Sequence, residues 1–258
     1  DIWNVDLKVP CFAGHCAQDW ESFVAGINPQ ANPNDYIQPE ANEHKLFGCN
    51  IRISVTGKPP TVGCHGKLDL MLVLDRSGSI NATELGQLKT AANAFVDALA
   101  PSANGVHIGQ SSFATTGSLD LHLSDNSSTI KAAIDALVAG GFTNLKEGID
   151  LAKTELDNPG DGHDRLDGDS PDFMVIITDG APNEPGTETE ARNAAASSSL
   201  VARTAGVEIF VVGVGTTTST ADYLKMKIVS PPVATHYFDA ADYASLGTVL
   251  TDLAACTP

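Results

Sequence analysis

The chain has 258 residues and carries 32 acidic against 15 basic side chains, a formal net charge of -17. Counterion release at phosphates needs Lys/Arg clusters, and none occurs, so a general nucleic-acid binder is excluded, as is docking on anionic lipid. With 42% hydrophobic and 18% charged residues the chain can bury a sizeable core, as one large domain or one domain with an appendage.

No stretch approaches the roughly 18 apolar residues of a membrane span. The chain begins at Asp1 with no basic or apolar leader, which reads as a processed mature protein or a fragment. Asn81 and Asn126 head N-x-[ST] triplets, which chance alone supplies often.

Composition changes near residue 60. Residues 1–63 hold Cys11, Cys16 and Cys49, both tryptophans (Trp3 and Trp20) and the Pro/Asn-rich run INPQANPNDYIQPEANE. Leu46, Cys49, Ile51, Ile53 and Val55 alternate as in a strand. GKPPTVG then reads as a linker, so residues 1–63 form a Cys-containing extension or partial β domain and 64–258 a separate domain.

From residue 67 the pattern is one of short apolar runs separated by helical ones. LDLMLVLD (68–75) is a strand buried on both faces. Residues 82–99 follow, with Leu85, Leu88, Ala92, Phe95, Val96 and Leu99 at helical spacing and an N-x-x-E start at Asn81 and Glu84. VHIGQSSF (106–113) is a second buried strand, and GSLDLHLS (117–124) its antiparallel edge partner. Ile130, Ile134 and Leu137 mark a helix over 128–138. DFMVIITD (172–179) and VEIFVVGVG (207–215) are further buried strands, and Leu246, Val249, Leu250 and Leu253 mark a helix over 242–254. The alternation predicts an α/β fold, a doubly wound and mostly parallel sheet flanked by helices.

Ligands in such sheets sit beyond the carboxyl ends of the strands. The first strand ends in Asp75-Arg76-Ser77-Gly78-Ser79 and the third in Asp179-Gly180, and between the second and third helices lies Gly140-Gly141-Phe142-Thr143-Asn144. Thr115 and Thr116 are alternatives to Thr143, which alone follows the third element with glycine neighbours. Two carboxylates and three hydroxyls make a hard-oxygen set without thiolate or imidazole, suited to Mg²⁺, Mn²⁺ or Ca²⁺ rather than zinc or copper. Two aspartates balance a dication, and small residues let the loop curl round it. Glu184 reads as an exposed loop residue near the rim. The acidic run 157–172 lacks the order of an EF-hand loop and reads as a solvated surface loop, and its His163 shows no metal-ligand spacing. No H-E-x-x-H, G-x-S-x-G or C-x-x-C occurs, so an enzyme is the weakest reading.

These residues carry a resemblance. D-x-S-x-S after one buried strand, a Thr in a Gly-rich loop and T-D-G after another buried strand resemble the von Willebrand factor A domain over roughly residues 66–255. The resemblance implies a Rossmann-like, non-enzymatic adhesion module, extracellular and either secreted or at the cell surface. Its metal-ion-dependent adhesion site would be Asp75, Ser77, Ser79, Thr143 and Asp179, holding Mg²⁺ (or Mn²⁺ or Ca²⁺). A carboxylate from a protein or extracellular-matrix ligand would complete the sphere. Several secreted A domains also bridge their termini, which implies a Cys64–Cys256 disulfide. Either Cys11–Cys16 or Cys16–Cys49 remains possible, with one thiol over. Around CAQDW and KLFGC, residues 1–57 resemble secreted proteins of the camelysin and biofilm-fibre type. That implies an alternative role as a structural subunit or tip of a surface filament or biofilm matrix, self-assembling through this segment.

Overall fold

The computed structural model describes residues 66–255 apart from 159, 161 and 167–169, together with the backbone of two N-terminal strands. The chain divides into two compact units, Asp1–Pro59 and Pro60–Pro258. In the first, β1 (Ile2–Val9) pairs antiparallel with β2 (Cys49–Thr56), from Ile2 opposite Thr56 to Val9 opposite Cys49.

The second unit is built on a six-stranded sheet. In chain order its elements are β3 (Leu68–Asp75), α1 (Ala82–Leu99), β4 (Val106–Phe113), β5 (Gly117–Ser124), α2 (Ser127–Asp135), α3 (Leu145–Leu156), β6 (Asp172–Thr178), α4 (Glu188–Thr204), β7 (Glu208–Val214), α5 (Thr218–Tyr223), a π-helical turn (Leu224–Ile228), α6 (Val233–His236), β8 (Tyr237–Ala240) and α7 (Leu246–Ala254). The spatial order is β5-β4-β3-β6-β7-β8. All neighbours are parallel except β5, which runs antiparallel to β4. The sheet is doubly wound, as its apolar runs predict.

Burial on both faces explains those runs. Leu70, Leu72 and Leu74 of β3 pack with Leu88, Phe95, Ile130 and Leu250 of α1, α2 and α7 on one face. Met71 and Val73 face the other way, against Leu145, Ile149 and Ala195 of α3 and α4. Every residue of β3 is buried, whereas the edge strand β5 is largely half-exposed. A central strand therefore shows an unbroken apolar run and an edge strand an alternation.

Local signals set the helix ends. The Asn81 side chain accepts from the N–H groups of Thr83 and Glu84, and Glu84 Oε2 accepts from the Asn81 N–H at 2.8 Å, a closed capping box. Two predicted helices are shorter in the structure. α2 stops at Asp135 rather than 138, ahead of the turn through Gly140 and Gly141, both at positive φ. α7 starts at Leu246 rather than 242, because Asp242 Oδ1 accepts from the Ser245 N–H in a turn before the helix. α3, α4, α5, α6 and β8 lie outside the elements bounded from sequence. α4 buries Ala191, Ala195, Ser198, Ser199 and Ala202, small residues that leave no apolar stripe to read. β8 has four residues, too few for an alternation to register.

At the opposite end of β3 from the Asp75 loop, Asp69 is fully buried. Arg165, on the loop after α3, donates from Nε to Asp69 Oδ1 at 2.9 Å, from its backbone N–H to Oδ2 at 3.1 Å and from a terminal nitrogen to the Leu68 carbonyl at 2.8 Å. Removing one partner of a buried pair leaves an uncompensated charge, which costs about 3–5 kcal/mol. Arg165→Ala should therefore lower stability by roughly that amount in denaturant melts, whereas an exposed pair such as Arg192–Glu188 should cost under about 1 kcal/mol when broken.

Candidate functional site

The strand order reverses between β3, which leads outward to β4, and β6, which leads outward to β7. In open α/β sheets such a switch point leaves a crevice at the carboxyl ends of the two strands. Asp75 is the last residue of β3, and Asp179 follows the last residue of β6.

The side chains there form one connected chain. Asp75, with no exposed surface, accepts from the Ser77 N–H through Oδ1 at 2.8 Å and from the Thr178 hydroxyl through Oδ2 at 2.6 Å. The Ser77 and Ser79 hydroxyls lie 3.0 Å apart, and Ser79 Oγ donates to Asp179 Oδ1 at 3.0 Å. Ser77 is buried and Ser79 exposed, so the chain climbs from the core to the surface. Four of the five sequence-predicted positions, Asp75, Ser77, Ser79 and Asp179, are thus brought together.

Thr143, the fifth, is tied to the others through backbone. The Gly78 N–H donates to the Gly141 carbonyl and the Gly140 N–H to the Arg76 carbonyl, both at 2.9 Å, so the serine loop and the glycine loop run side by side. A Cβ on Gly78 would stand 3.0 Å from the Gly141 carbonyl oxygen, and Gly141 adopts φ +86°, so both positions need glycine. The Thr143 N–H donates to Asn183 Oδ1 at 2.7 Å, and its carbonyl accepts from the Asn183 N–H at 3.0 Å. Thr115 serves elsewhere, its hydroxyl accepting from the Phe142 N–H at 3.1 Å. Thr116 accepts from Arg76 through its carbonyl. Glu184 is half-buried and accepts from the Gly186 N–H in a local turn.

The electrostatics are one-sided. Burial, reinforced by the charge of Asp179, pushes Asp75 up to about 6 from 3.8. Burial also raises Asp179, whose hydrogen bond from Ser79 acts against the rise. Arg76, the nearest cation in sequence, turns away and donates to Ser112 Oγ at 3.0 Å. Among the described residues neither aspartate has an ion-pair partner. Tyr243, on the loop after β8, is buried with its hydroxyl unpaired, and burial together with Asp179 and Asp75 raises its pKa.

Three of these contributors escape sequence reading. Thr178 belongs to the T-D-G motif, but its bond to Asp75 spans 103 positions. Asn183 and Tyr243 carry no local signal. Within the acidic run 157–172, Asp164 and Asp172 approach Asp69, which Arg165 neutralises. His163 lies against His122 rather than alone on a solvated loop. Cys11, Cys16, Cys64 and Cys256 lie outside the described residues, and of Cys49 only the backbone is described.

Comparison with known proteins follows the same lines. A model of the von Willebrand factor type A domain matches residues 69–252. Matrilin-3 of Gallus gallus is 30% identical over 193 residues, 72% of this chain and 39% of matrilin-3. The chain spans less than half the length of the curated relatives it matches. The vWF domain of the type V pili tip protein Mfa5 from Porphyromonas gingivalis superposes with TM-score 0.62 at 13% identity, covering 74% of this chain and 94% of that one. Proximal thread matrix protein 1 from the mussel byssus, with a zinc occupied MIDAS motif, gives TM-score 0.57 at 23% identity over 75% of this chain and 46% of that one. The two structural likenesses are likenesses of fold. With its matched residues covering most of its length and its sheet wound in the same manner, the chain belongs to the von Willebrand factor type A domain family.

Proposed function

We propose that the chain is an extracellular adhesion or ligand-binding module, not an enzyme, that holds a divalent cation with Asp75, Ser77, Ser79, Thr143 and Asp179. The observation that carries this reading is a fully buried aspartate that accepts from the Ser77 N–H, with the Ser77 and Ser79 hydroxyls continuing to a second aspartate, and without a cationic partner among the described residues. Such a pair repels itself unless a positive charge is supplied. The donor set is entirely oxygen, which fits Mg²⁺, Mn²⁺ or Ca²⁺. The mussel byssus protein, whose MIDAS motif is occupied by zinc, supports a metal in this region of the fold.

In this reading the hydroxyls of Ser77, Ser79 and Thr143 would ligate the ion, and Asp75 and Asp179 would balance its charge. Asp75 is held from behind by Thr178 and the Ser77 N–H, so its orientation does not depend on solvent. Ser79 and Phe142, 56% exposed, face outward at the mouth. When bound, the ion would supply a Lewis-acidic acceptor for a carboxylate oxygen of a protein or matrix ligand. The relation to matrilin-3 supports a protein or matrix partner. The surrounding negative charge would repel an acidic ligand except at that point.

A second reading, a structural subunit of a surface filament or matrix that self-assembles through the N-terminal segment, is favoured by the β1–β2 ribbon. Two strands alone are marginal in water and gain stability from a third. Sedimentation velocity on the full chain should then show a concentration-dependent rise in mass, and a monomer at every concentration would refute assembly.

Titration with Mn²⁺, followed by electron paramagnetic resonance, should show a site reversed by EDTA and weakened at least ~100-fold in Asp75→Ala, about 3 kcal/mol at 1.4 kcal/mol per decade. Equal binding by the variant would overturn the proposal. The rise of Asp75 from 3.8 to about 6 disfavours its charged form by about 3 kcal/mol. A raised folded pKa means the protonated form is stabilised, so the cost is complete above pH 6 and gone below pH 3.8. Without divalent ions, Asp75→Asn should melt several degrees above the wild type at pH 7.5, with the gain shrinking as pH falls through that window. Mg²⁺ should raise the melting temperature of the wild type only.

A further inference from the structure

A second cluster lies on different elements. His122 of β5, Glu155 of α3 and His163 of the loop after α3 each offer a ligand atom within 4.8 Å of the others. Glu155 is buried in the last turn of α3, its side chain 2% exposed. Its Oε1 accepts from the Leu123 N–H at 2.8 Å, and its Oε2 lies 2.8 Å from His122 Nδ1. The rings of His122 and His163 stack at 4.6 Å between centroids and 15° between planes, so the exposed His163 would turn about its side-chain bonds to bring its nitrogen to an ion shared with His122 and Glu155. The loop that carries His163 is not left to chance, because Arg165, two residues on, is pinned by three hydrogen bonds to Asp69 and Leu68.

We propose that His122, Glu155 and His163 bind a borderline transition-metal ion, Zn²⁺ in the first instance, separately from the oxygen site at Asp75. Two imidazoles and a carboxylate are a zinc-type donor set, with a fourth position left to water. The buried Glu155 carboxylate has no Lys or Arg ion pair among the described residues, so a bound metal would supply the positive charge beside it. The Leu123 N–H fixes the carboxylate so that it need not reorganise on binding. Residues 122, 155 and 163 belong to an edge strand, a helix end and the acidic loop, so a shared ion fastens that loop to the sheet. Saturating Zn²⁺ should then raise the melting temperature by ~5–10 °C at a hundredfold excess over the dissociation constant.

The experiment uses the full chain carrying Asp75→Ala, with free thiols alkylated, so that neither the oxygen site nor cysteine contributes. Co²⁺ should bind with the intense visible bands of a four-coordinate ion, and Zn²⁺ should displace it. His122→Ala and His163→Ala, both at exposed positions, should each weaken binding at least tenfold and abolish those bands. Identical isotherms and spectra for both variants and the parent would overturn the proposal. So would a parent that binds no Co²⁺ below millimolar concentration, which would leave the cluster as a histidine–glutamate hydrogen bond. Loss of Mn²⁺ binding at Asp75 bears only on the first site, so the two proposals fail independently.

Discussion

Asp75 closes the central strand with no contact with solvent, and Asp179 follows the neighbouring strand at the same end of the sheet. A carboxylate buried beside a second, half-buried one would ordinarily be selected against or neutralised by an arginine. At the other end of β3 that is what happens, where Arg165 meets buried Asp69. At the Asp75 end the neighbouring groups are hydroxyls and backbone N–H groups, which orient a carboxylate without cancelling its charge. The local structure follows from that requirement. The serine loop curls tightly enough for the Ser77 N–H to reach Asp75, and Gly78 and Gly141 allow two backbones to approach where a side chain on either would collide or strain.

The asymmetry between the two ends of β3 separates support from function. A buried pair with matched charge behaves as packing with polar atoms. A buried carboxylate beside a second, half-buried one holds the fold in a less stable state than it could occupy, by about 3 kcal/mol at Asp75. Ligand sites commonly carry such a cost, because the group that would relieve it is the ligand itself. At Glu155 a buried carboxylate likewise lacks a Lys or Arg partner among the described residues and stands beside two imidazoles.

Ser77, Ser79 and Asp179 were legible because each follows a buried strand within a few positions, and strand ends in a doubly wound sheet converge by topology. Asp75 was legible for the same reason. Thr143 needed the glycines beside it to be preferred to Thr115, whose hydroxyl accepts from the Phe142 N–H. Thr178, Asn183 and Tyr243 were not legible, because their roles depend on approach across the sheet rather than on neighbours in sequence. The His122–Glu155–His163 cluster is the extreme case. Its members sit 33 and 8 positions apart, and the helix and loop that join them have no pattern in common.

The sequence by itself determined the fold class and the strands of the sheet centre, because a strand buried on both faces must be apolar throughout. It also determined the start of α1, because a capping box is closed within four residues. Tertiary structure alone decided where α2 and α7 end and begin, the existence of α4 as a small-residue helix packed close to the sheet, and the short edge strand β8. It alone decided which acidic residues are neutralised and which stand uncompensated, since charge balance is set by what folds against a side chain. Local sequence reports a residue's neighbours along the chain, and burial, pairing and electrostatic cost depend on its neighbours in space.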